Sequence, residues 1–206
     1  MTHDEGARAV CEAGAYLAAR GLTPGTSGNI SLRIDGGFLM TPTNASLAAL
    51  SPDELTVLDA DGNRIGGRPE TKERDLHLSV YRVRPDAAAI VHVHSTYSVA
   101  LACLCHPDPA DVLVPLTPYG VMRIGRLPLA RYAKPGSQDL AHAVAERAAE
   151  SHAILLANHG PIAAAPTLAG ALAVTEEIEE AAKLQLLLHD RQVRRLEPAE
   201  IAALRG

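Results

Sequence analysis

The chain predicts an α/β fold, with a mixed, largely antiparallel sheet covered by helices. Three observations lead there. Helix-like and strand-like segments are interspersed along all 206 residues. Asp35-Gly36-Gly37 and Asp61-Gly62 read as tight hairpin turns, and hairpins join antiparallel strands. Two further strands, over 88–94 and 153–157, are near-continuous apolar runs, the pattern of burial. No internal repeat and no domain-scale linker interrupts this order, so one domain over 1–206 is expected.

The elements follow in turn. Residues 4–20 read as an amphipathic helix with Ala9, Val10, Ala13 and Leu17 on one side, stopped by Gly21. The small-residue loop Thr26-Ser27-Gly28-Asn29 leads into a strand over 30–34, which the first hairpin joins to 38–41. The second hairpin joins 56–59 to 64–65. A helix is expected over 71–84, then the strand 88–94. Another helix is expected over 95–105 with Ser95 as N-cap. Short strands are expected near 112–114 and 121–124, within a Pro-punctuated stretch from 107 to 135. Ser137 reads as the N-cap of a helix to 150. The strand 153–157 passes through Asn158-His159-Gly160-Pro161 to 162–164, and a long helix covers 167–189. Its acidic patch over 176–180 is expected to be a solvated face. Cys103-Leu104-Cys105-His106 is expected to be a helix end that packs small apolar groups, not a metal tract.

Composition narrows the function. Apolar residues make up 47% and charged residues 21%, as in globular proteins. A net charge of -5 argues against a nucleic-acid surface, and 3% aromatics without Trp argue against base stacking. No apolar run reaches membrane-spanning length, and the polar start lacks a signal-peptide pattern. Three cysteines in such a chain fit reduced thiols in the cytoplasm. An anionic substrate is compatible with the charge, because a metal and backbone N–H groups can build a local positive site.

The chemistry starts at His92-Val93-His94. A strand alternates faces, so His92 and His94 point the same way and form a metal half-site. His159 follows the second apolar strand. An isolated histidine is more often a hydrogen-bonded core residue; this trio, with one carboxylate, would satisfy Zn²⁺ or a similar ion. Glu70, Glu73 and Asp75 cluster just upstream, and Glu73 opens the expected helix. His77, one turn later, is expected to support the site through hydrogen bonds instead of binding metal. Thr26-Ser27-Gly28-Asn29 and Thr41-Pro42-Thr43-Asn44 flank one hairpin and could cradle an anion, although each alone is ordinary turn chemistry.

Together these features resemble the class II aldolase/adducin family. The resemblance rests on Ser27-Gly28-Asn29-Ile30-Ser31, Met40-Thr41-Pro42-Thr43, Glu73 with Arg84-Pro85-Asp86-Ala87, His92-Val93-His94, and Asn158-His159-Gly160. It implies a three-layer α/β/α sandwich with a central, mostly antiparallel sheet, and a homotetramer with active sites between subunits. It implies one divalent metal, Zn²⁺ first and Mn²⁺ or Co²⁺ as alternatives, held by Glu73, His92, His94 and His159. Glu73 would also move a proton, with Tyr119, or equally Tyr132, as a donor. Gly28, Asn29, Thr43, Asn44, Thr71 and Lys72 would hold substrate phosphate. Fuculose-phosphate aldolases place two serines where this chain has Thr71 and Lys72. Thr71-Lys72-Glu73, with Leu116-Thr117-Pro118-Tyr119 and Gly125-Arg126-Leu127-Pro128-Leu129, resembles the 3-oxo-tetronate 4-phosphate decarboxylase branch. That branch implies loss of CO₂ to give dihydroxyacetone phosphate through a metal-stabilised enediolate. A sugar-phosphate aldolase or a 4-epimerase is the alternative on the same site. An adducin-like non-catalytic module is the alternative of another class, and the retained ligand set argues against it. Lys72 suits a second anionic group on the substrate. A simple ion pair to Asp75 or Asp86 is the competing explanation.

Overall fold

A computed structural model describes residues 1–205. The strands are β1 (Asn29–Ile34), β2 (Gly37–Met40), β3 (Thr56–Asp59), β4 (Arg64–Gly66), β5 (Ala89–His92), β6 (Leu129–Ala130), β7 (Ala153–Leu156) and β8 (Gly160–Ala165). They form one sheet in the order β4-β3-β2-β1-β5-β8-β7-β6. Every neighbouring pair is antiparallel except β6 with β7. The helices are α1 (His3–Ala19), α2 (Arg74–Val83), α3 (Thr96–Ala102), α4 (Gln138–Ala148), α5 (Leu168–Leu187) and α6 (Pro198–Arg205).

Strand alternation creates two buried faces. Ile90, Ile154, Leu156 and Ile162 pack with Leu76 and Val80 of α2 and Leu140 and Val144 of α4. The intervening residues Ala89 and Val91 meet Val10 and Leu17 of α1 and Ala171 of α5. Ala153 and Leu155 likewise meet Leu101 of α3 and Ile178 of α5. The result is the expected α/β/α sandwich. Along β1, Ile30 and Leu32 join the α1 side, and Ser31 reaches His77 of α2 on the other. Asn29 stands opposite His92 in the β1–β5 ladder, which carries both to the same end of the sheet.

Several local expectations are corrected. The helix expected from 71 starts at Arg74, with Glu73 at its N-cap position. Thr71 Oγ1 accepts the Glu73 N–H, a local bond that competes with helix formation. The strand expected over 112–114 does not form. Gln185 of α5 donates to the Val112 carbonyl and accepts the Val114 N–H, satisfying the groups that a strand would have paired. The strand expected over 121–124 is instead a π-helical turn, Gly120–Ile124, closed by Gly125 at φ 72°. Cys103 and Cys105 are exposed, because α3 ends at Ala102 and leaves them beyond its packed face. The segments that form α6 and β6 carry too short a periodic pattern to be recognised from sequence.

The acidic patch on α5 is also corrected. Glu179 is buried and accepts from the Tyr97 and Ser98 N–H groups and from Ser98 Oγ. Ser95, the expected N-cap, makes no side-chain cap bond. The first turn of α3 leaves N–H groups without intrahelical partners, and a carboxylate from α5 takes two of them. Glu176 accepts from Tyr16 and Arg20, tying α1 to α5. Glu179→Ala should therefore destabilise the metal-free protein by about 1.5–3 kcal/mol, the range for hydrogen bonds to a charged group. Urea unfolding measures this; a loss of a few tenths would show that Glu179 is a solvated surface acid after all.

Candidate metal centre

Glu73, His92, His94 and His159 meet at one end of the sheet. Their ligand atoms all lie within 4.8 Å of one another. β5 delivers His92, and the extended chain beyond it brings His94 Nε2 to 3.1 Å from His92 Nε2. The turn from β7 to β8 supplies His159, whose Nε2 is 3.4 Å from Glu73 Oε1. Glu73 Oε2 is 3.3 Å from His92 Nε2 and accepts from Asn29 Nδ2 at 2.9 Å.

Two glycines permit this convergence. A Cβ on Gly28 would lie 2.9 Å from the His92 carbonyl oxygen, and Gly28 has φ +80°. A Cβ on Gly160 would lie 2.4 Å from the Val93 carbonyl oxygen. Neither position admits a larger residue without moving the histidine backbone. Asn158, beside His159, holds φ 56°, a conformation that Asn tolerates better than most residues.

The donor set fits a divalent cation. His92 Nδ1 lies 2.8 Å from the Pro161 carbonyl oxygen, so Nδ1 carries the hydrogen and the Nε2 lone pair faces the cluster. Glu73 Oε1 is buried without a hydrogen-bond partner. An orphaned carboxylate oxygen among imidazole nitrogens is what one cation would satisfy. Burial lowers the pKa of His92 and of His94, against the pull of Glu73, and brings His159 down to about 4. Neutral imidazoles are the ligand form. Burial alone would raise the Glu73 carboxyl. The positive charge that His92 and His159 take on in acid, with the Asn29 amide, outweighs it and holds the group at about 2, so Glu73 is ionised at neutral pH.

His77 is fully buried, and burial pushes its pKa down to about 3. Its two ring nitrogens face Asn29 Oδ1 and Ser31 Oγ, so it supports the site through hydrogen bonds.

A cavity of about 640 Å³ opens over the cluster. Gly28, Asn29, Thr43, Asn44, Thr71 and Lys72 line it, together with Thr26, Ser27, Glu73, His94 and His159. His92 lies behind the wall with no exposure. Asp75 pairs with Arg74 and Asp86 with Arg84. Lys72 forms no ion pair among the described residues and is exposed at the rim. Tyr119 and Tyr132 are 59% and 64% exposed and do not line this cavity; Tyr119 stacks under Arg123. Thr96, Val99 and Pro135 also line it, and sequence reasoning missed them. The α3 pair arrives because α3 follows His94 directly. Pro135 arrives by long-range packing: Gly136 presses against the Lys72 backbone, where a Cβ would lie 2.9 Å from the Lys72 carbonyl oxygen. No local pattern marks such a contact.

Fold and donor set together define a metal-site protein of the class II aldolase type, and comparison with known proteins agrees. The model of the Class II Aldolase and Adducin N-terminal domain matches residues 8–186, and the chain belongs to that family. It is 46% identical over 188 residues to the 3-oxo-tetronate 4-phosphate decarboxylase of Escherichia coli strain K12, covering 91% of this chain and 89% of that one. It is 37% identical over 168 residues to the L-fuculose phosphate aldolase of Haemophilus influenzae, covering 82% and 76%. The crystal structure of YgbL from Klebsiella pneumoniae superposes with a TM-score of 0.96 at 41% identity, covering all of both chains.

Protein purified without chelator should take up about one divalent ion per chain. His94→Ala should weaken uptake by more than the ~10–100-fold that loss of an outer partner costs. Elemental analysis with chelator competition reads this. Unchanged affinity in His94→Ala would exclude this cluster as the site.

Proposed function

We propose that the chain is a divalent-metal-dependent carbon–carbon lyase that decarboxylates a 3-oxo-tetronate 4-phosphate to dihydroxyacetone phosphate and CO₂. One observation carries the reading: an ionised Glu73 with the neutral imidazoles of His94 and His159, backed by His92, lines a cavity whose rim holds Lys72, which has no ion pair among the described residues. The similarity to the Escherichia coli decarboxylase supports the choice of substrate.

Glu73, His92, His94 and His159 would hold the ion, which when bound polarises the substrate ketone as a Lewis acid. The other steps belong to the chain itself. Gly28, Asn29, Thr43, Asn44 and Thr71 offer small side chains, amides and hydroxyls that can wrap the phosphate. Lys72 pairs with a substrate anion at the rim. When the bond to the carboxylate breaks, its electron pair stays on the carbon beside the ketone, giving an enediolate. Protonation of that carbon completes the product. Glu73 starts ionised, so it takes up a proton from solvent before delivering it to that carbon, and the net reaction consumes that one solvent proton.

The second reading keeps the site and breaks a different bond, a retro-aldol cleavage of a ketose phosphate. The similarity to the Haemophilus aldolase favours it. Thr71-Lys72, where fuculose-phosphate aldolases carry two serines, argues for the acid substrate. We further propose a cytoplasmic homotetramer, in which Tyr119 or Tyr132 serves a neighbouring subunit's cavity. The exposure of both rings and the free thiols of Cys11, Cys103 and Cys105 support this. Light scattering at micromolar concentration should give four times the chain mass; a monomer mass would refute the assembly.

The kinetic test compares 3-oxo-tetronate 4-phosphate with fuculose 1-phosphate. Lys72→Ser should cut kcat/KM for the acid by roughly ten- to more than a hundred-fold, the equivalent of about 1.5–3 kcal/mol, and spare the ketose phosphate. Glu73→Gln should abolish turnover of both. A wild type that prefers the ketose phosphate would reverse the order of the two readings. Equal losses on both substrates for Lys72→Ser would reduce Lys72 to a general phosphate contact.

A further inference from the structure

Behind the metal centre lies a second polar cluster that the chemistry above does not use. His77 and Ser31 are fully buried, and Tyr81 and Asn29 nearly so. They form an unbroken chain running away from Glu73. Asn29 Nδ2 reaches Glu73 Oε2 at 2.9 Å. Asn29 Oδ1 meets His77 Nε2. His77 Nδ1 is 2.7 Å from Ser31 Oγ, and Ser31 Oγ is 3.0 Å from the Tyr81 hydroxyl.

Hydrogen placement along this chain is forced from one end. An ionised carboxylate only accepts, so Asn29 turns its NH₂ to Glu73 and its carbonyl to His77. A carbonyl oxygen also only accepts, so His77 Nε2 carries the hydrogen. A buried ring stays neutral, so Nδ1 has a lone pair and accepts from Ser31. Ser31 Oγ, having given its hydrogen to His77, can only accept from the Tyr81 O–H, which also has the Ala88 carbonyl oxygen at 3.4 Å as a second acceptor. From Ser31 to Asn29 the donors point toward Glu73. The far end is fixed by packing: Tyr81 lies 4.8 Å from the Phe38 ring, and the Arg33 guanidinium sits 4.9 Å from the Tyr81 centroid.

The Asn29 amide has two orientations of nearly equal shape. The wrong one would set its carbonyl against the Glu73 carboxylate and its NH₂ against His77. The Glu73 carboxylate on one side and the imidazole N–H on the other both tell them apart, and the imidazole does so from the side away from the metal site. We propose that His77, held as its Nε2–H tautomer by Ser31 and Tyr81, is a positioning residue that locks the Asn29 amide and, through it, the Glu73 carboxylate. Asn29 also lines the cavity, so the same lock fixes which amide group faces the substrate. The tautomer stands on the hydrogen-bond geometry alone; its consequence for metal affinity rests on the reading of Glu73 as a ligand.

Two measurements on the full chain test this. In metal-free wild type, ¹⁵N NMR of labelled histidine should show His77 protonated at Nε2 and bare at Nδ1 at neutral pH. An Nδ1–H tautomer or an imidazolium would overturn the proposal. The second measurement compares His77→Gln with His77→Asn by Zn²⁺ affinity under chelator competition and by thermal unfolding of the metal-free forms. A glutamine amide reaches the place of Nε2 and can donate to Asn29; an asparagine amide reaches only the place of Nδ1. His77→Asn should lose about 10–100-fold in Zn²⁺ affinity, the usual cost of losing an outer partner, and His77→Gln should recover most of it. Equal affinity losses in the two variants would overturn the positioning role, because a purely structural histidine gives no reason for Gln to outperform Asn. A wild type that binds no Zn²⁺ would refute the proposed function instead, and the spectrum of the metal-free protein would still decide the tautomer.

Discussion

The fold and its metal centre depend on two close approaches to the backbone of His92-Val93-His94. Gly28 presses on one side of it and Gly160 on the other, each at a distance that a Cβ would violate. Gly28 leads into β1, which aligns Asn29 with His92. Gly160 opens β8, whose preceding turn carries His159. The same contacts that close the sheet thus bring together donors separated by more than sixty residues of sequence.

Such a cluster works against its own solvation. Burying a carboxylate and three imidazoles in a small volume is unfavourable unless charge and hydrogen bonds are matched. The chain meets this in two ways. The imidazoles stay neutral under burial near neutral pH, and the Glu73 carboxyl is held low by the Asn29 amide and by the charge that His92 and His159 take on in acid. One carboxylate oxygen is left without a partner, a residual mismatch that a cation would satisfy. Charge at the rim is handled differently. Arginines occupy Asp75 and Asp86, and Lys72, at the mouth of the cavity, has no ion pair among the described residues.

Much of the site is legible in the amino-acid sequence, because it rests on local periodicity. Strand alternation is enough to put His92 and His94 within reach of each other. The hairpin turns at Asp35-Gly36-Gly37 and Asp61-Gly62 specify antiparallel neighbours on the β1–β4 side. The features that sequence conceals depend on partners far along the chain. Glu179 looks like one of several surface acids until α3 is seen to lack its own N-cap. Val121 and Ile124 have strand-forming side chains, but they sit in a π-helical turn. Pro135 enters the cavity only through the packing of Gly136 on Lys72. Tyr119 and Tyr132 are exposed and stand outside the cavity lining, so nothing in their local sequence ties them to the site.

The central claim is that Glu73 and the three histidines are the ligands of a single catalytic metal ion. Anomalous diffraction from crystals grown with Zn²⁺ tests it most directly. The account predicts one strong peak per chain bonded to His92, His94 and His159 at roughly 2.0–2.2 Å, with Glu73 beside it. A peak elsewhere in the chain, or none between these side chains at saturating Zn²⁺, would contradict it.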